Sequence, residues 1–85
     1  MPAHQIDVFD AITRERVYQD SKWGPPHKHP HGLAGWLAIM QNELAEASAE
    51  LSLHNDPENA QREILQVIAV GVAALEQHGL LERMR

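Results

Sequence analysis

One segment limits the folds open to this chain more than any other. From Ile64 to Leu75 the sequence ILQVIAVGVAAL would be apolar on almost every face of a helix, with Gln66 its one polar residue. A helix of that kind has to be surrounded, inside a larger core or at a subunit interface. An 85-residue chain is one domain and buries only roughly 60–65% of its unfolded surface. Two companion helices hardly cover such a segment. Cysteine is absent, so no disulfide or Cys-bound metal can staple a thin core. The expected architecture is all-α: three main helices plus a short C-terminal segment, assembling into a helical-bundle oligomer. The simplest form is a dimer whose paired helices build a four-helix bundle.

Ala, Leu, Glu and Gln dominate the remaining sequence, and there is little alternation of period two. The chain reads as a single domain over 1–85. A first helix is predicted over 7–20, with Asp7 as its N-cap and Val8, Phe9, Ile12 and Tyr18 as its apolar stripe. Trp23-Gly24-Pro25-Pro26 should stop it. A loop over 22–32 holds three prolines and three histidines. A second helix is predicted over 33–54, with Trp36, Leu37, Met40, Leu44, Ala47 and Leu51 on one side. Asp56-Pro57 is a sharp boundary, an N-cap side chain followed by proline at the first helical position. The third helix then spans 57–78 and stops at Gly79. The leucines of the tail LLERMR are expected to pack on the same surface.

The formal net charge is −5, which argues against a nucleic-acid polymer as partner. No stretch approaches the ~20 apolar residues that span a bilayer, so no membrane partner is expected. The start MPAHQIDVFD has acids where a signal peptide would have bases. A cytoplasmic protein is the expectation. No Lys or Arg lies between His29 and Gln61, yet Glu43, Glu46, Glu50, Asp56 and Glu58 do. The whole acidic excess therefore sits in one central segment, where a cation or solvent must make it tolerable.

Glu43 and Glu46 on the second helix, and Glu63 and Gln66 on the third, are pairs at i, i+3. If the short connection makes these helices antiparallel, the pairs face one another across the groove and offer a nest of oxygen ligands. Mg²⁺ favours such oxygen sets, completed by water and substrate phosphates, with Mn²⁺ as the alternative. Glutamates also coat solvated helix faces, and that reading stands beside the first. Glu63 shifts the balance, because it opens a nearly all-apolar helix and would be partly buried unless something polar sits opposite.

The order Gln19-Asp20-x-Lys22-Trp23-Gly24, a His/Pro/Gly loop, Trp36-Leu37-x-Ile39-Met40, Glu43-x-x-Glu46 and Arg62-Glu63-x-x-Gln66-Val67 resembles MazG-like proteins. These are all-α nucleoside triphosphate pyrophosphatases, and the likeness is to their short phage- and mobile-element-type members. It covers about Arg14 to Gln77. The resemblance implies a homodimer or homotetramer and Mg²⁺-dependent cleavage of a nucleoside triphosphate into monophosphate and pyrophosphate. It implies catalytic and metal-binding roles for Glu43, Glu46 and Glu63, with Gln66 as the fourth metal position. The family usually has a carboxylate at that fourth position, so a neutral amide should lower metal affinity. The family also often has a Glu directly before its first motif Glu, where this chain has Asn42. A candidate base is thereby lost.

Within that likeness, Lys22 and Arg62, with Lys28 behind them, are candidate contacts for the leaving pyrophosphate. Trp23 is a candidate for stacking on a base and His31 for lining the nucleotide pocket. Trp36 reads first as core, and Glu50 as solvated or as an outer ligand. His27, His29 and His31 alternate in a proline-rich loop without the geometry of a zinc site, while His4, His54 and His78 read as incidental. Two further possibilities remain. One is a non-catalytic nucleotide-binding or protein-interaction module of the same fold. The other is a fragment that needs a second chain to cover its third helix.

Overall fold

A computed structural model describes residues 1–84 of the chain; Arg85, the last residue of the tail, lies outside the described residues. The described residues form three helices and no strand: α1 (Gln5–Trp23), α2 (Leu33–Ser52) and α3 (Pro57–His78). α3 packs against both α2 and α1. The four residues 53–56 reverse the chain so that α2 and α3 run antiparallel. Asn55 makes the turn with a positive φ of 50°, a conformation asparagine adopts more readily than most residues. Asp56 then caps α3, its side chain accepting a hydrogen bond from the Asn59 N–H at 3.0 Å. At the far end Gly79 takes φ 93° and closes α3 by donating its N–H to the Leu75 carbonyl at 2.8 Å.

α1 departs from the sequence expectation. It begins at Gln5, with His4 at the N-cap position and Asp7 inside the first turn, where its charge complements the exposed N–H groups. It also runs on through Lys22 and Trp23, ending where Gly24 turns to φ 86° and donates its N–H to the Asp20 carbonyl. The expected apolar stripe is not its buried face. Val8, Phe9 and Tyr18 are exposed and Ile12 is half-buried, while Arg16 and Gln19 are buried. The reason is electrostatic. Arg16 reaches across to Glu76 on α3, and two pairings hold the guanidinium out of water: Nε donates to Glu76 at 2.7 Å and Nη2 meets Asp20 at 2.7 Å.

The core between α2 and α3 is small: Trp36, Val70, Ala73 and Ala74, with Ile39 and Met40 packed on it. Gly71 brings the helices together, since a Cβ there would meet the Met40 methyl at 3.2 Å. α2 ends at Ser52, short of the predicted 54, and only part of its predicted stripe is covered. Trp36 and Ala47 are buried, but Leu37, Leu44 and Leu51 are exposed. At 100° per residue these leucines and Leu33 fall roughly 60–100° to one side of the line through Trp36, Glu43 and Ala47. On α3, Ile64, Ile68 and Leu75 are exposed beside them. The leucines of the tail are not packed either: Leu80 and Leu81 are exposed.

The surface area carries the same message. A folded monomer of 9.6 kDa is expected to expose roughly 5,100 Å², and this chain exposes 6820 Å². Its radius of gyration is 13.9 Å, against about 11.9 Å for a domain of this length. Among the described residues no helix is long and apolar enough to cross a membrane.

Candidate metal centre and adjoining cavity

Three carboxylates converge where α2 and α3 face each other. Glu43, Glu46 and Glu63 each offer an oxygen, and these oxygens lie within 4.8 Å of one another. The helical period explains the meeting. Glu43 and Glu46 share one side of α2, and the antiparallel pairing sets the first turns of α3 opposite them. Glu46 is exposed, whereas Glu43 and Glu63 are half-buried. Oε2 of Glu43 and Oε2 of Glu63 are sealed from solvent and accept no hydrogen bond. Burial pushes the Glu43 carboxyl above its ordinary value of 4.5, helped by the negative charges of Glu46, Glu63 and Glu15. Glu63 is raised for the same first reason, then by Glu46, Glu50 and Glu15. No Lys or Arg is ion-paired with any of the three among the described residues.

Two sealed acceptors in a cluster of like charge are costly as they stand. A hard divalent cation removes both penalties together, and an all-oxygen donor set suits Mg²⁺ or Mn²⁺. Glu43, Glu46 and Glu63 therefore fit such an ion as ligands. Gln66, one turn after Glu63, contributes to the wall of the adjoining space and adds no charge.

That space is a cavity of about 440 Å³ reaching from Glu43 and Gln66 to the start of the Pro/His loop. Trp23, Trp36 and Ile39 give it apolar walls, and α1 supplies Arg16, Gln19 and Asp20. Such a volume lies in the range of small-molecule sites. The loop is tied down on its far side by Gln77. Oε1 of Gln77 accepts from the Trp36 indole N–H at 2.8 Å and from the His31 backbone N–H at 3.0 Å, while its Nε2 donates to the His31 carbonyl at 2.7 Å. The His31 ring stands edge-on to Trp36, with centroids 4.9 Å apart. Gly24 is required in the wall, because a Cβ there would come within 2.5 Å of the His29 ring.

Of the residues singled out in the sequence, Trp23 and His31 do border the cavity. Trp36 is both core and wall. Lys22 is not part of the wall: its ammonium lies over the Trp23 ring, 4.7 Å from the centroid. Arg62 does not line the cavity either. It is exposed and 3.8 Å from Glu58 on its own helix. Glu50 is half-buried and close enough to raise Glu63. His78 is not incidental, since its Nε2 lies 2.9 Å from the His31 carbonyl. Arg16, Gln19, Asp20, Ile39 and Gln77 were not marked as site residues by sequence reasoning. The i, i+4 spacing of Arg16 and Asp20 was the available signal for one of their contacts.

The arrangement defines a class: a three-helix protein with a carboxylate cage opening onto an aromatic-walled cavity. No family model, curated protein or solved structure matches the chain.

Proposed function

We propose that this protein is a Mg²⁺-dependent nucleoside triphosphate pyrophosphohydrolase of the MazG-like type, acting in the cytoplasm and releasing NMP or dNMP and pyrophosphate. The observation that carries the reading is the carboxylate trio beside the cavity, with two of its oxygens sealed and unpartnered. In the reaction, a water oxygen forms a bond to the α-phosphorus and the bond from that phosphorus to the α–β bridging oxygen breaks. The electron pair leaves with pyrophosphate, and the water proton passes to solvent or a nearby carboxylate. A divalent ion, if bound, would supply charge neutralisation and a lowered pKa for the attacking water. Glu43, Glu46 and Glu63 would hold that ion beside the cavity that Glu43 lines, and Gln66 would offer a neutral carbonyl. Trp23 and Trp36 wall off the region where a base would lie, with His31 fixed by Gln77 at its edge.

Self-association belongs to the same proposal. The excess exposed area is about 1,700 Å² per chain relative to a monomer of this mass, the scale that obligate dimers bury. Leu37, Leu44, Leu51, Ile64, Ile68 and Leu75 supply the apolar surface for it. The occupant is a second copy, in a homodimer or homotetramer.

A second reading has its own support. Gln66 neutralises no charge, and neither Lys22 nor Arg62 lines the cavity to meet a leaving pyrophosphate. These features favour a non-catalytic nucleotide-binding or protein-interaction module of the same fold.

One experiment separates the readings. Purified protein is incubated with the common and non-standard nucleoside triphosphates, with Mg²⁺ and with Mn²⁺, and pyrophosphate is measured. The expected result is metal-dependent release that falls about 100-fold or more in Glu63→Gln, a loss equivalent to roughly 2.7 kcal/mol. Absence of release from the folded wild-type protein eliminates the enzyme.

A further inference from the structure

The wall that α1 gives to the cavity has a chemical polarity of its own. Arg16 is buried and committed: its Nε and Nη2 engage Glu76, Nη2 also meets Asp20, and Nη1 donates to the Gln19 amide oxygen at 3.0 Å. The Gln19 amide nitrogen is directed to Glu15 and to the Gln66 backbone carbonyl, at 3.4 and 3.5 Å. Asp20 differs. Its Oδ1 takes the Arg16 contact at 2.7 Å, and its Oδ2 has no hydrogen-bond partner among the described residues. The side chain keeps 36% of its exposure and lines the cavity. The buried guanidinium behind it fixes its position on the helix face.

We infer that Asp20 makes this cavity selective for nucleobases carrying an exocyclic amino group (cytosine, adenine, guanine) over uracil, thymine and hypoxanthine. The inference rests on the nucleotide reading above and deepens it. Phosphates held at the carboxylate trio would leave the base within the cavity that Glu43 and Asp20 both line, from different helices. A carboxylate is acceptor-only, so it rewards N–H groups at the base edge. An amino group brings two. Where the base carries an oxo group instead, a lone pair faces the carboxylate, and the ring N–H of uracil is flanked by two such oxygens. The hydrogen bond is charge-assisted and discriminating, since an oxo group sets a lone pair against the carboxylate where an amino group donates to it. Arg16 is a positioning residue here, and Asp20 is the group that touches the base.

The test uses nucleotide pairs that differ only by amino against oxo: CTP with UTP, and ATP with ITP. Pyrophosphate release by the full chain with Mg²⁺ gives kcat/KM for each. In the pair the protein uses, the amino member is expected to lead by about tenfold or more. In Asp20→Asn, with its fold checked by circular dichroism, the ratio should drop to within about threefold through loss on the amino member. Equal or reversed preference in the wild type overturns the inference, as does an unchanged ratio in a folded Asp20→Asn. If nothing is hydrolysed, the pyrophosphatase reading fails separately, and calorimetric binding of the same pairs decides the matter. Amino-selective binding then supports the assignment of Asp20, and binding that is indifferent or absent overturns it.

Discussion

The two sides of the α2/α3 pair face opposite problems. One side gathers charge: Glu43, Glu46 and Glu63 crowd together, with α1 closing the cavity beside them. The other carries Leu37, Leu44 and Leu51 of α2 with Ile64, Ile68 and Leu75 of α3, all exposed among the described residues. Each side is unfavourable alone, the first because like charges and sealed oxygens lack partners, the second because apolar surface faces water. On the proposed function, a cation would relieve the first deficit and a second copy of the chain the other. The small core of Trp36, Val70, Ala73 and Ala74 is the hinge between these two dependencies.

The largest effect should come from breaking the apolar side. Placing lysine at two positions, Leu44→Lys with Ile68→Lys, puts unpaired charges on the face where the proposed second copy would dock. A destabilisation of about 3–5 kcal/mol is expected, seen as dissociation in sedimentation and loss of a cooperative melt. If the wild type sediments as a monomer, the apolar side has no partner and the comparison loses one half.

On the charged side, Gln66→Asp adds the carboxylate that the cage lacks. Mg²⁺ affinity measured by calorimetry should rise about tenfold, or roughly 1.4 kcal/mol. In the absence of metal the same variant should melt slightly lower than the wild type, because it adds a fourth negative charge. A rise in metal-free stability would mean that Gln66 does not face the cage.

The smallest effect is the pH dependence of stability. Glu43 and Glu63 titrate above 4.5 in the folded protein and at their ordinary value when unfolded. Between those values the folded state holds more protons, so stability falls as pH rises through the raised range. The contribution is fully present only below the ordinary value. Chemical denaturation at a series of pH values without metal should show that decline, and excess Mg²⁺ should flatten or reverse it by binding the deprotonated cage. A metal-free stability that climbs with pH across this window contradicts the assigned direction.

Much of the helix punctuation was readable in advance. Asp56-Pro57 and Gly79 act through backbone chemistry within a few residues, so their effect does not depend on what packs nearby. The meeting of Glu43, Glu46 and Glu63 was also accessible, because it needs only helical periodicity and one short antiparallel connection. The inward face of α1 was not. Its apolar residues suggested one face, but a single long-range contact, Arg16 to Glu76, decided another. The ties from Gln77 to His31 and Trp36 join residues more than forty positions apart, and no local pattern announces them.

The residues themselves determined three helices, the sharp start and stop of α3, and the concentration of acid on α2. These follow from propensity, capping and period, all of which act over a turn or two of chain. Only the tertiary arrangement decided which side chains of α1 turn inward, that the Pro/His loop is pinned to the end of α3, and that Glu43 and Asp20 line one cavity. Those features depend on how three helices lie on one another, and the part-buried Arg16–Glu76 pair and hydrogen bonds between distant residues outweigh the preference of any single helix for its own apolar face.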